Sequence, residues 1–332
     1  MLAWRSGAES QAQGLNVSES LENIQAAIWF LPIIQSILAI AGNGLAIYRF
    51  VVRERPWHTG IIYAFNLAIS DLLYAFSLLP LAFYHHPPKD WKFGLVFCLL
   101  DRYLFFCNLY GSTFFVACIS LNRYVAIVYP FFAHAHIKPR HAKLFSGVVW
   151  LLVVGISAPV FHFSSLREKQ KGTMECLGSA RDEVLFQYFP YSLFLAAFGC
   201  GLPFFLTSFS CVAITCTVVR NPNIRPEEKR KVKTLVSMVV VLYAIFYLPF
   251  HVLRNMNLNR RMRNHDDKTI YDLYQMAKIL VNFHICVHPM FYAALANSMQ
   301  EYCGRCFQQQ RSMQEENVEV KMRLSSDCKV QG

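Results

Sequence analysis

The chain has 332 residues, 55% of them hydrophobic and only 16% charged, which is more apolar side chain than a soluble surface can hide and argues for a membrane protein. A net charge of +11 would suggest nucleic acid in a soluble chain, but in a membrane protein the positions of Lys and Arg matter more than their sum. Crossing the hydrocarbon core takes about 20 apolar residues, and seven stretches qualify: 26–48, 61–84, 96–128, 144–163, 185–219, 232–253 and 270–296.

The head, 1–25, carries the glycosylation sequon Asn16-Val17-Ser18, so Asn16 is an acceptor if the head lies outside. The first apolar run is of full spanning length with no basic flank before it, which predicts a signal anchor and not a cleaved leader. The loops after the first, third and fifth spans hold Arg49, Arg53 and Arg55, then Lys138, Arg140 and Lys143, then Arg220, Arg225, Lys229, Arg230, Lys231 and Lys233. These loops face the cytoplasm and the head faces outward. The bundle is then a single domain over 26–297, followed by a cytoplasmic segment, 298–332.

Cysteines inside spans read as small apolar residues. Cys98 opens the third span and Cys176 sits in the second outer loop; both lie on the oxidising side, which predicts a disulfide between them. Cys303 and Cys306 follow the last span at the inner face, where palmitoylation is expected.

Polar groups inside spans are costly and mark function or packing. In chain order they are Gly42-Asn43, Leu67-Ala68-Ile69-Ser70-Asp71, Asn122-Arg123-Tyr124, Trp150, Pro203, Pro249 and His288-Pro289-Met290-Phe291-Tyr292, one set per span. Pro249 removes a backbone hydrogen bond and gives the sixth span a hinge. Toward the outside, Arg102 lies four residues after Cys98, about 6 Å of helix rise. His251 and Arg254 share a face of the sixth span, and Lys278 stands eleven residues before Pro289. Three cations converging from three helices predict a polyanionic ligand, because unpaired they repel one another. Phe105, Phe106 and Tyr110 below Arg102 offer flat apolar surface for a base or ring.

The ordered set of span motifs resembles the rhodopsin-like G-protein-coupled receptors along essentially the whole chain. The resemblance implies an all-α bundle of seven transmembrane helices with a short amphipathic eighth helix at the inner face, in the plasma membrane. Asn122, Arg123, Tyr124, Pro249, Pro289 and Tyr292 would serve activation and coupling, with Arg123 engaging the G protein once the sixth helix moves. It also implies a core polar site of Asn43, Asp71, Ser112, His284 and His288, where relatives hold sodium. Two departures stand out. Asn122 replaces the usual acid and Lys229 stands where some members have another, so the inner ionic lock cannot form and the resting state relies on packing. His288 replaces Asn or Asp and is a poor sodium ligand. Facing Asp71, it is either a fixed cation or a neutral histidine hydrogen-bonded in the core.

Arg102, the His251-x-x-Arg254 pattern and the cation Lys278 resemble the metabotropic purinergic (nucleotide) receptors, as do Arg55-Pro56-Trp57-His58, Pro130-Phe131-Phe132-Ala133 and Cys286-Val287-His288-Pro289. One subtype of that family shares both Asn122 and His288. The resemblance implies a receptor for extracellular ATP coupled to phospholipase C and adenylyl cyclase stimulation through Gq- and Gs-type proteins. Three features depart from it. No cysteine precedes Cys98 or falls between Arg254 and Lys278, so the family's second outer disulfide is missing. Lys278 replaces an arginine and loses bidentate phosphate geometry, and Cys211 stands where a tyrosine is usual. A dicarboxylate or lysophospholipid receptor of the same fold is the nearest rival, although Arg260, Arg261 and Arg263 in the third outer loop favour a charged ligand arriving from water. Without internal repeats a transporter or channel fits poorly. No nucleophile elbow or metal-ligand spacing suggests an enzyme, a metal or a cofactor.

Overall fold

The computed structural model describes residues 29–292, apart from 87–88, 169–171, 178–181, 223 and 265–266. Asn16, Cys303, Cys306 and the expected eighth helix lie outside the described residues. The chain divides into two units, Met1–Pro289 and Met290–Gly332. Of the second unit only 290–292, which include Tyr292, are described, and they are helical.

Among the described residues six helices are long and apolar enough to cross a membrane: α1 (Leu31–Val52), α2 (Thr59–His85), α3 (Gly94–Val128), α4 (Pro139–Phe163), α5 (Leu185–Arg220) and α6 (Pro226–Met262). The seventh, α7 (Lys268–Asn282), is interrupted at Phe283 and resumes through 284–289. The observed starts follow helix chemistry. Pro139 and Pro226 open α4 and α6, where the missing N–H costs nothing. Asp267 caps α7 by accepting from the Ile270 amide at 3.2 Å. The ends of α6 outrun the apolar stretch because Glu227, Glu228, Arg260 and Arg261 are good helix formers that project into water.

α3 is the central helix. In its most apolar window 78% of residues are buried, against 22% in α4 and α6, and it packs on α2, α4 and α5. The outward faces of the others carry exposed Leu45, Phe83, Leu151, Phe205 and Val212, a lipid-facing belt. Two close approaches require glycine. A Cβ on Gly42 would fall 2.9 Å from Pro289 Cγ, and one on Gly199 would fall 2.4 Å from the Tyr110 ring. Gly199 lies in a π-helical segment of α5, Leu195–Gly201, whose displaced carbonyls are taken up by side chains. Thr113 Oγ1 donates to Gly199 O at 2.7 Å, and Tyr243 Oη donates to Cys200 O at 3.0 Å.

Over the outer end lies an antiparallel hairpin, β1 (Ser165–Glu168) with β2 (Met174–Leu177). A Cys98–Cys176 disulfide ties it to the top of α3, as the two cysteines' outward placement predicts.

Candidate functional site

Beneath the hairpin, a cleft of about 50 Å³ is lined by Tyr74, His85, Lys89, Arg102, Phe105 and Lys278, with Gln275 and Asn282 also on its wall. Arg102 is buried because the disulfide holds the β2 backbone over it, and its Nη2 donates to Cys176 O at 3.4 Å. Its Nε lies 3.8 Å from Asp101 Oδ2, an ion pair too long for a hydrogen bond, and finds no hydrogen-bond partner among the described residues. On α7 the Lys278 ammonium sits 5.1 Å over the Tyr274 ring.

Arg254 does not line this cleft. Its guanidinium is buried 4.7 Å over Phe106, 5.2 Å over Tyr188 and 5.9 Å over Phe250, and Nη2 donates to Tyr188 Oη at 2.6 Å. Stacking on three rings can hold a desolvated cation, yet Nε again lacks a hydrogen-bond partner among the described residues. Phe105 connects the two places: it lines the cleft, and its ring is 5.5 Å from Phe250. His251 is buried 5.9 Å from Tyr110, and neither of its ring nitrogens has a hydrogen-bond partner among the described residues. Arg102 and Lys278 therefore share a cleft, while Arg254, His251, Phe106 and Tyr110 pack into a buried cluster on the far side of the Phe105–Phe250 contact.

Below the cleft lies a second polar constellation. Asp71 Oδ2 pairs with His288 Nδ1 at 2.7 Å, and Oδ1 accepts from Asn108 Nδ2 at 2.9 Å and Ser112 Oγ at 3.3 Å. Asn108 Oδ1 stands 3.1 Å from His284 Nε2, and His284 Nδ1 meets the Val281 carbonyl. Asn43 joins α1 to the same region by donating to Ile285 O at 2.9 Å. His288 therefore faces Asp71, the position from which both readings of its charge start. Two imidazoles and a carboxylate already engaged by N–H and O–H donors do not suit sodium, which is bound by oxygen.

The comparisons with known proteins agree with this architecture. A family model described as the seven-transmembrane receptor (rhodopsin family) matches residues 42–292. The chain belongs to that family. Its relatives include purinoceptor 11 of Homo sapiens, 40% identical over 84% of this chain and 82% of the relative, and purinoceptor 1 of Gallus gallus, 33% identical over 91% and 86%. This receptor is thus a multi-pass plasma-membrane protein on the purinoceptor branch and not an enzyme.

At the receptor's inner end, Asn122 Oδ1 accepts from Thr59 Oγ1 at 2.7 Å, joining α3 to the start of α2. Lys229 Nζ donates to Val219 O at 2.9 Å, using its charge on the carbonyl end of α5. His58, just outside α2, is held below its ordinary pKa by burial and then by the nearby Arg123 charge, with Glu54 opposing. Tyr124 packs edge-on to Tyr129 and Phe209. Pro249 lies inside α6, and Cys211 is buried in α5.

Sequence reasoning missed Asp101, Lys89, Asn108 and Tyr188. Asn108 could have been found, since it stands four residues before Ser112 on one face of α3. Adjacent helical residues do not ordinarily face each other, so nothing marked Asp101 as a partner for Arg102. Tyr188 meets Arg254 across a sequence separation of 66 and leaves no local signal.

Proposed function

We propose that this receptor is activated by an extracellular nucleotide, with ATP as the agonist, and couples to heterotrimeric G proteins of the Gq and Gs types, raising calcium and cyclic AMP. The observation that carries the ligand class is the under-satisfied positive charge of the outer end. Arg102 and Lys278 line one cleft with Lys89, and Arg254 is buried beside it with an Nε that lacks a hydrogen bond among the described residues. A phosphate chain brings several strong acceptors and negative charge to such donors. The aromatic wall of Phe105, Phe106 and Phe250 offers faces for a base. The purinoceptor names of the relatives support the same reading.

Anchoring by the outer cations would be transmitted through α6, which carries Arg254 and contains Pro249, and through α7, which carries Lys278 and ends at the Phe283 break. The inner end has the features of an easily tipped resting state, with Asn122 and Lys229 tied to neighbours and no acid at either position. Basal signalling above that of untransfected cells is expected.

The test is calcium and cyclic AMP response in cells expressing the chain, titrated with ATP, ADP, UTP, succinate and a lysophospholipid, beside Arg254→Ala. Responses to a nucleotide, lost in the variant at equal surface expression, support the reading. Silence to all nucleotides with a response to succinate or the lysophospholipid overturns it.

A further inference from the structure

The core constellation, which does not suit sodium, has the donor set of a different ion. His284 and His288 are four residues apart in the helical segment that follows the Phe283 break, so both imidazoles stand on one face. This corrects the sequence reading that found no metal-ligand spacing here, because four residues is the separation by which paired histidines on a helix hold zinc. Opposite them, α2 contributes Asp71. One ligating atom from each of the three lies within 4.8 Å of the others, and all three side chains are buried.

We propose that Asp71, His284 and His288 form a binding site for a borderline divalent transition ion, Zn2+ foremost. Ligand atoms around a tetrahedral zinc are about 3.3 Å apart, given bonds of about 2.0–2.1 Å. The 2.7 Å Asp71–His288 contact opens slightly as the ion takes the place of its hydrogen bond, and His284 moves inward by side-chain rotation. Asn108 supports the set: its amide donates to Asp71, and its Oδ1, 3.1 Å from His284 Nε2, can take the fourth position or orient the ring. Imidazole nitrogen and carboxylate oxygen together select zinc over hard cations such as sodium. A bound ion would cross-link α2 to the inner half of the seventh span and resist rearrangement there. This site does not depend on the nucleotide reading.

The experiment uses the full chain purified into lipid nanodiscs, with ZnCl2, CoCl2 and NaCl as probes and no nucleotide present. Zn2+ should raise the Tm of the wild type, and Co2+ should give the visible absorption of a tetrahedral site. His288→Asn, which keeps an N–H donor for Asp71, should lose both signals, and Asn108→Ala should weaken Zn2+ affinity about 10-fold. His136→Ala, at an exposed histidine, should change neither. Undiminished Zn2+ binding in His288→Asn, absence of a Zn2+-dependent shift in the wild type, or equal stabilisation by NaCl would each overturn the proposal. If His288→Asn does not fold, an unchanged affinity in Asn108→Ala overturns it instead.

Discussion

The outer end and the core polar cluster are both buried, both charged and only a few helical turns apart, yet they treat their polar groups in opposite ways. In the core, Asp71, Asn108, Ser112, His284 and His288 satisfy one another through a chain of hydrogen bonds. At the outer end, Arg102 Nε, Arg254 Nε and both nitrogens of His251 have no hydrogen-bond partner among the described residues. A buried polar group left unsatisfied costs about 1–3 kcal/mol, and more when charged. The outer end therefore gains from any anion that supplies acceptors, whereas the core loses when any one member is removed. A closed network fixes structure, and an open one waits for a ligand.

The largest expected effect breaks the closed side. His288→Leu leaves the buried Asp71 carboxylate without its 2.7 Å hydrogen-bond partner, and a buried charged group left short of a partner costs about 3 kcal/mol or more. The purified receptor should show a clearly lower Tm. On the open side, Arg254→Leu should leave the Tm of the unliganded receptor unchanged or raised, because it removes an incompletely satisfied cation. ATP affinity should nevertheless fall by about 2–5 kcal/mol, the usual range for truncating one partner of a buried charge pair, as read by equilibrium binding. The smallest effect sharpens the contrast within the cleft. Asp101 Oδ2 lies 3.8 Å from Arg102 Nε and would compete with a phosphate bound there. Asp101→Asn should strengthen ATP binding by about 1 kcal/mol, roughly five-fold, and a weaker affinity would show that Asp101 positions Arg102 instead of competing for it.

Part of this contrast is legible in the sequence. Hydropathy located the spans, since about 20 apolar residues in succession admit few other structures, and the outward placement of Cys98 and Cys176 pointed to the disulfide now seen. The helix ends and the Phe283 break were not legible, because capping groups and interhelical contacts set them, not hydropathy. The outer cations stood out as charges within apolar runs, but periodicity along one helix does not report the rotation of its neighbours. Arg254 therefore lies across the Phe105–Phe250 wall from the cleft, stacked on rings from α3, α5 and α6. His284 and His288 were visible as a pair, yet their value as ligands became apparent only when α2 brought Asp71 within reach.

The proposed role of the outer cations is to bind phosphate and not the rest of the ligand. Equilibrium binding of radiolabelled ATP and adenosine to the wild type and to an Arg102→Ala, Lys278→Ala double variant tests it most directly. ATP affinity should fall by a factor of tens to thousands while the weak binding of adenosine stays the same. Equal loss for both ligands, or ATP binding that survives the double substitution, would contradict it.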